Sequence, residues 1–345
     1  MYSSIFTCRI NRCDFINDWL VGLISPPVGV EIFLHLELYK CLIGVMFALL
    51  NVYKPVGKSS YDAIRHIKGI VGKKVKVGHA GTLDPMAEGV LIICLGKATR
   101  LVELIQQHPK CYFTVARLGA RSTTDDAEGK IEQVEVSSPP ILDEIKEVAN
   151  EFIGTIKQTP PAYSAVKVAG KRAYQLARAN KAFDIPAKLV TIFSIEIIDY
   201  EYPHLRLRLS CSSGTYIRSL VRDIGEKLSI GAYCERIVRE AIGPFEINAS
   251  VKLTDIQPDT IEKFLIRPVE AILPQCRIAI TPSQACRLRR GLPICLDKSV
   301  AQAIPWKTHL GDIFGAVDKD GNLLAIIKPD EKRERTFKPV KVFMK

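Results

Sequence analysis

Hydrophobic and polar positions along the chain change period several times, and each change predicts an element. Residues 46–53 are apolar apart from Asn51 and read as a strand, followed by a turn at Pro55, Val56 and Gly57. Ser59 or Ser60 then caps a helix in which Ala63, Ile64, Ile67 and Val71 recur at helical spacing. Residues 90–95 and 112–118 are strands, the first apolar throughout and so buried on both faces. Leu205, Leu207 and Leu209 alternate with Arg206 and Arg208, the signature of a half-buried strand. Beyond a turn at Ser212, Ser213 and Gly214, an amphipathic helix carries Ile217, Leu220, Val221, Ile224 and Leu228. Arg218 and Arg222, four apart, are expected to share an exposed face of it. Pro258, Pro268 and Pro274 punctuate a predicted linker. From about residue 276 short strands alternate with glycine turns, with Asp320-Gly321 a hairpin signal. The class is α+β.

Composition narrows the partner rather than the fold. With 345 residues, 47% of them hydrophobic and 25% charged, the chain is a folded protein of one large and one small domain, and a disordered chain is excluded. The net charge of +11 favours a polyanion, nucleic acid first. Ten cysteines include no Cys-x-x-Cys pair, and several lie in apolar runs, as Cys94 does. That fits reduced thiols and a cytoplasmic protein. Residues 1–45 differ from the rest. Arg9, Arg12 and Lys40 stand against Asp14, Asp18, Glu31 and Glu37, so the segment is net negative, and its order of residues is not that of a signal or transit peptide. Its longest apolar run, residues 41–50, is half the roughly 20 residues a membrane span needs. We read 1–45 as an extension, non-native or poorly ordered, with Met46 as the natural start.

Several motifs fail. Gly57-Lys58-Ser59 resembles the end of a phosphate-binding loop, but Val52 stands where its first glycine belongs. There is no Gly-x-Gly-x-x-Gly, Gly-x-Ser-x-Gly or His-Glu-x-x-His. Neither cofactor nor metal is expected.

One segment carries chemistry: residues 78–91, in which Asp84 lies between Leu83 and Pro85 in a glycine-rich loop ahead of a buried strand. Alone, Asp-Pro is a turn former. The whole string, GHAGTLDPMAEGVL, resembles the catalytic loop of the TruB family of pseudouridine synthases. The resemblance extends over most of residues 46–345, through Lys54-Pro55 with Gly57, Ser59 and Ser60, Tyr112 with Arg117-Leu118-Gly119, Asp125-Asp126 with Gly129, and Gly214-Thr215-Tyr216-Ile217-Arg218. Ile237 and Arg239 fall where the family has Leu-Arg-Arg, with Val238 in place of one arginine and Glu240 after the other.

The resemblance implies a pseudouridine-synthase fold, with a central mixed or antiparallel sheet flanked by helices in a catalytic domain over 46–268. A small PUA-like β-barrel would follow over 276–345. It implies isomerisation of uridine to pseudouridine at position 55, in the T-loop of tRNA, without cofactor or metal. Asp84 would be the catalytic carboxylate, kept charged by Arg218. His79 would occupy space near the displaced nucleotide, Tyr112 would stack on the flipped base, and Tyr216 and Ile237 would line its pocket. Lys171, Arg172 and Arg239 would contact the RNA backbone. Residues 154–188, with Lys157, Lys167, Lys171, Arg172, Arg178, Lys181 and Lys188 interleaved with Tyr163, Tyr174 and Phe183, match a flap over the T-arm. Arg65, His66, Lys68, Lys73, Lys74 and Lys76 add a second basic run. A monomer with no membrane contact and no obligatory protein partner is expected. The rival readings are a guide-RNA-dependent synthase, a non-catalytic RNA-binding protein and a basic ribosomal protein.

Overall fold

The computed structural model describes residues 46–164, 166–168, 170–179, 183–302 and 313–344. The extension 1–45, Lys181, Lys345 and the side chain of Arg178 lie outside the described residues. Eight strands build most of a ten-stranded mixed sheet: β1 (Phe47–Lys54), β2 (Val77–Ala80), β3 (Glu88–Gly96), β4 (Lys110–Leu118), β5 (Gly154–Gln158), β6 (Lys188–Glu201), β7 (His204–Cys211) and β8 (Ala232–Ile242). Two-residue strands at Phe245–Glu246 and Val251–Lys252 complete it. Val251–Lys252 forms one edge, followed by β1, β3, β8, β4, β7, β6 and β5, while β2 pairs with β3.

Burial explains the sequence pattern of these strands. Residues 90–95 of β3 are all buried, because the strand lies between β1 and β8 with both faces covered. By contrast β4 alternates: Tyr112, Thr114, Ala116 and Leu118 turn inward, and the residues between them are half-buried. The register sets Tyr112 opposite Arg239 and Thr114 opposite Ile237, so three of the expected site residues share the inner face of two adjacent strands. On β7 the leucines are buried and the arginines face outward, as the alternation predicts.

Helix α1 (Ser60–Val71) starts at Ser59, whose hydroxyl accepts from the Asp62 N–H while the Asp62 carboxylate accepts from the Ser59 N–H. The helices α2 (Val102–Gln107) and α3 (Leu142–Glu151) follow. Between β5 and β6 a small hairpin pairs Lys167–Val168 with Lys171–Arg172 and runs into α4 (Ala173–Arg178). Then comes α5 (Ile217–Lys227), which buries Ile217, Leu220, Val221 and Ile224.

The C-terminal part holds α6 (Pro282–Arg289) and a curled five-stranded sheet of β9 (Arg277–Ala279), β10 (Ile294–Cys295), β11 (Phe314–Val317), β12 (Leu323–Pro329) and β13 (Thr336–Val342). Its strand order is β9, β11, β12, β13, β10, consistent with a PUA-like half-barrel. The prolines at 258–274 do not mark a free linker. Leu49 and Ile266 exchange backbone hydrogen bonds of 2.9 and 2.8 Å, and Pro268, Val269, Ala271 and Ile272 are buried. Those side chains join Leu49, Val90 and Ile92 of the large sheet to Phe314, Ile327 and Phe337 of the small one in one apolar cluster. A second cluster, with Leu83, Tyr112, Leu207, Leu220 and Ile237, packs α5 against the inner face of the large sheet. Among the described residues no helix is long and apolar enough to cross a membrane.

Candidate active site

Asp84 lies between β2 and β3 in a loop fixed from several sides. Ser60, buried at the start of α1, accepts a hydrogen bond from the Leu83 N–H (2.8 Å) and donates to the Leu83 carbonyl (3.0 Å). The Gly57 N–H donates to the Pro85 carbonyl at 2.8 Å. The Lys54 ammonium donates to the carbonyls of Pro55, Lys58 and Pro85. Burial pulls the pKa of Lys54 down to about 8, against the opposing effect of the nearby Asp84 charge. At the end of the loop Gly89 has φ +107°, and a Cβ there would stand 2.3 Å from the Arg239 carbonyl oxygen. Only glycine fits that approach.

Arg239 corrects one expectation. It is 1% exposed, and its guanidinium donates to the carbonyls of Gly81 (3.1 Å), Thr82 (3.1 Å) and Val90 (2.8 Å). A buried guanidinium spent on three backbone carbonyls holds the loop in place and is not presented to an RNA backbone. The β4–β8 register turns it inward beside Tyr112, while Glu240 faces outward and accepts from Arg208 at 2.9 Å.

Arg218 corrects a second. It shares a helix face with Arg222, but that face is covered and Arg218 is only 4% exposed. Its Nη2 lies 2.8 Å from Asp84 Oδ2 and donates to the Tyr163 carbonyl at 3.0 Å. Its Nη1 donates to Asp126 Oδ2 and the Thr124 carbonyl, both at 2.9 Å. Burial works against its charge, but Asp84 and Asp126 outweigh burial and raise its pKa. One turn on, Arg222 donates to Asp125 at 2.8 Å. Asp125 takes a left-handed φ of 59°, which aspartate tolerates better than most residues, and the sharp turn aims successive carboxylates at successive arginines. Burial raises the Asp125 pKa, opposed by Arg222.

Beside this ion pair opens a cavity of about 330 Å³, lined by Asp84, Tyr112, Tyr216, Arg218, Ile237 and Arg239 among others. That volume has room for a planar base. Tyr112 and Tyr216 both have raised phenol pKa values, chiefly through burial, so each is a neutral hydroxyl near neutral pH. Lys110, at the start of β4, also lines the cavity; it donates to the carbonyls of His108 and Gln106, and burial lowers its pKa to about 8. Five of the six residues expected around the reacting nucleotide, Asp84, Tyr112, Tyr216, Arg218 and Ile237, thus meet at one cavity. The sixth, His79, opens on a neighbouring cleft of about 580 Å³ that shares Asp84 and Arg218, so the ion pair lies on the boundary of the two. Burial lowers the His79 pKa and the Arg239 charge adds to this, favouring neutral imidazole.

Lys171 and Arg172, also expected to meet RNA, do not line this cavity. Lys171 and Arg172 are exposed on the hairpin, and Arg172 borders the His79 cleft. Lys68, Lys73, Lys74 and Lys76 are exposed, whereas Arg65 pairs with Asp62 at 3.2 Å and His66 makes a 3.2 Å contact with the Ile256 carbonyl. Sequence reasoning missed the part played by Asp126, 92 residues from Arg218, and the inward turn of Lys54 and Lys110. A lysine ending an apolar strand was the available signal for Lys54. Among the described residues no cluster of His, Cys, Asp or Glu is placed to hold a metal ion.

Comparison with known proteins gives this arrangement a lineage. Residues 68–217 match the family model described as TruB family pseudouridylate synthase, N-terminal domain. The tRNA pseudouridine synthase B of Clostridium tetani is 38% identical over 299 residues, covering 87% of this chain and 100% of that protein. The protein of the same name from Dehalococcoides mccartyi is 35% identical over 304 residues, covering 87% and 97%. Among solved structures, one chain of a Cbf5–Nop10–Gar1 complex superposes with a TM-score of 0.66 at 26% identity, covering 89% of this chain and 87% of that one. The loop that carries Asp84 falls inside the matched family segment, Arg218 lies one residue beyond its end, and the likeness to whole relatives runs well past it. The chain belongs to the TruB family of pseudouridylate synthases.

Proposed function

We propose that this enzyme converts uridine to pseudouridine at position 55, in the T-loop of tRNA, acting alone in the cytoplasm as a monomer. The observation that carries the reading is the Asp84–Arg218 ion pair of 2.8 Å beside a cavity with room for a base and two tyrosines in its wall. The reaction breaks the N1–C1′ bond, turns the uracil and joins C5 to C1′; the proton lost from C5 is balanced by one gained at N1. The product is an isomer of the substrate.

The residues divide the work. A uridine in a folded arm must leave its stack, at a cost of a few kcal/mol. Stacking on Tyr112 offsets about 1–3 kcal/mol of that. Asp84, paired with Arg218, is the nucleophile, whether it adds to uracil C6 or to ribose C1′. Tyr216 and Ile237 confine the ring while it turns, and His79 fills space in the adjoining cleft from which the nucleotide is drawn. Lys171 and Arg172 hold phosphates from the flap, and Lys68, Lys73, Lys74 and Lys76 extend that field. The relatives' name supports tRNA as substrate, and their coverage of this chain supports a complete catalytic unit.

The test is incubation of purified protein with an unmodified tRNA transcript, with no guide RNA or other protein, followed by mapping of pseudouridine. Product at position 55 is expected. Product elsewhere would overturn the site, and product only with a guide RNA would favour the guide-dependent type. Asp84→Asn should bind the transcript within a few-fold of wild type and lose turnover by orders of magnitude. Substantial turnover by that variant would overturn the role of Asp84.

A further inference from the structure

Gln158 ends β5, is 1% exposed and has no part in the chemistry above. Its carboxamide makes two hydrogen bonds to one residue. Oε1 accepts from the Tyr216 N–H at 2.8 Å, and Nε2 donates to the Tyr216 carbonyl at 3.0 Å. A carboxamide, with a donor and an acceptor side by side, can make both.

Tyr216 needs such a partner. It stands just before α5 with extended backbone (φ −103°, ψ 111°), and its own side chain makes no cap hydrogen bond. The amide serves as a one-residue strand partner for it. The hold sits at a junction. Thr159, next after Gln158, accepts at its carbonyl from Ser219 Oγ (2.8 Å) and Arg222 (3.1 Å). Four residues further on, the Tyr163 carbonyl accepts from Arg218, the arginine paired with Asp84. The root of the flap and the first turn of α5 are therefore stitched together along their length.

We infer that Gln158 is a positioning residue for the reaction: its two-point hold on the Tyr216 peptide fixes that tyrosine in the cavity wall and sets the start of α5, and hence Arg218, against Asp84. The Tyr216 N–H and carbonyl belong to the peptide units on either side of its Cα, and the carbonyl also accepts from the Leu220 N–H at 3.1 Å, so the Gln158 bond to the N–H adds the hold that the helix does not supply. The remaining bonds from Ser219 and Arg222 attach the helix to the flap but leave the Tyr216 peptide untouched. The inference rests on the reaction proposed above for its kinetic readout.

The experiment compares Gln158→Met, which keeps length and loses both bonds, with Gln158→Glu, which keeps shape and turns a second oxygen toward the Tyr216 carbonyl. Ser219→Ala removes a neighbouring flap–helix bond as the control. Single-turnover pseudouridine formation at saturating tRNA, the tRNA Kd and amide hydrogen exchange are measured on each. Both Gln158 variants should lose about 10- to 100-fold in rate, the scale of a sub-ångström to ångström misplacement of reacting groups. Their Kd should stay within about threefold, and the Tyr216 amide should exchange faster in Gln158→Met, where its acceptor is gone. Ser219→Ala should stay within about threefold of wild type in rate.

A wild-type rate in either Gln158 variant would overturn the inference. So would an equal loss in Ser219→Ala, or a fall in rate matched by a fall in binding, each a sign of general loosening. Should Gln158→Met fail to fold, Gln158→Glu carries the same comparison. If wild-type enzyme yields no pseudouridine, the proposed reaction fails, and the exchange rate of the Tyr216 amide alone decides whether the hold exists.

Discussion

The loop around Asp84 and the flap hairpin around Lys171 are built in opposite ways. The loop is held by residues far away in sequence: Ser60, Lys54 and, 157 and 158 residues off, Arg239. Beyond its root at residues 158–163, which is bonded to α5, the flap hairpin is tied to its near neighbours. Val168 pairs with Lys171, the Ala173 N–H donates to the Val166 carbonyl and the Tyr174 N–H to the Ser164 carbonyl. Its Lys167, Lys171 and Arg172 face solvent. The contrast follows from what each must do. A carboxylate that attacks one atom has to be in place before the substrate arrives, because reorganisation would add to the barrier. Charges that attract a phosphate chain act over a Debye length of about 8–10 Å and need no fixed geometry.

The contrast can be broken most severely at Arg218. Arg218→Ala would leave Asp126 buried without its countercharge and Asp84 without its partner. Removing one partner of a buried pair costs about 3–5 kcal/mol, so denaturant unfolding should show a loss of that size. Turnover should fall by orders of magnitude in the same variant. An unfolding midpoint equal to wild type would mean that water or another cation replaces the guanidinium.

Ser60→Ala tests the loop more gently. It strands the Leu83 N–H and carbonyl in a buried site, at about 1–3 kcal/mol of stability. A displaced Asp84 should cost about 10- to 100-fold in single-turnover rate while tRNA binding is kept. Equal effects on rate and binding would erase the distinction between loop and flap.

The flap should show the reverse. Replacing Lys171 and Arg172 together with Ala should raise the tRNA Kd and reduce the slope of log K against log salt by up to about 2. The rate at saturating tRNA should hardly change. A slope equal to wild type would remove this hairpin from the interface.

The smallest effect concerns Lys110, half in the framework and half in the cavity wall. Its pKa is about 8 in the folded protein against 10.5 ordinarily. Between those values the unfolded chain binds more protons than the folded one, so this lysine's contribution to stability rises with pH across that window. The Tm difference between wild type and Lys110→Met should shift in favour of wild type from pH 8 toward pH 10. A constant difference would show that Lys110 titrates normally.

Much of this was legible in the sequence, for reasons that can be stated. Strands read well where burial is uniform or strictly alternating, as in residues 90–95 and in Leu205 to Leu209. The first helix read well because Ser59 and Asp62 form a local cap. Asp84 was found by the string around it, since a lone Asp-Pro says only that the chain turns. What stayed hidden was set by residues distant in sequence. Spacing showed that Arg218 and Arg222 share a face, but only the turn carrying Asp125 and Asp126 decides that the face is covered. Likewise Arg239 looked like a cation for RNA until the register of β4 and β8 turned it inward. Charge in a sequence tells what a side chain is, and the opposing surface tells what it does.

The apolar cluster shared by the two sheets bears on how this chain can change over time. Ile272 belongs to the one cluster that holds Leu49 and Val90 of the large sheet and Phe314 and Phe337 of the small one, so a change of volume there is placed to disturb both. A recombination that exchanged the C-terminal sheet for a foreign one would bare Leu49, Ile92 and Val269 to water unless the newcomer brought a matching surface. The prolines between residues 258 and 274 make the sequence look divisible there, yet the material beneath them is continuous. Among the described residues the two sheets share one packed core.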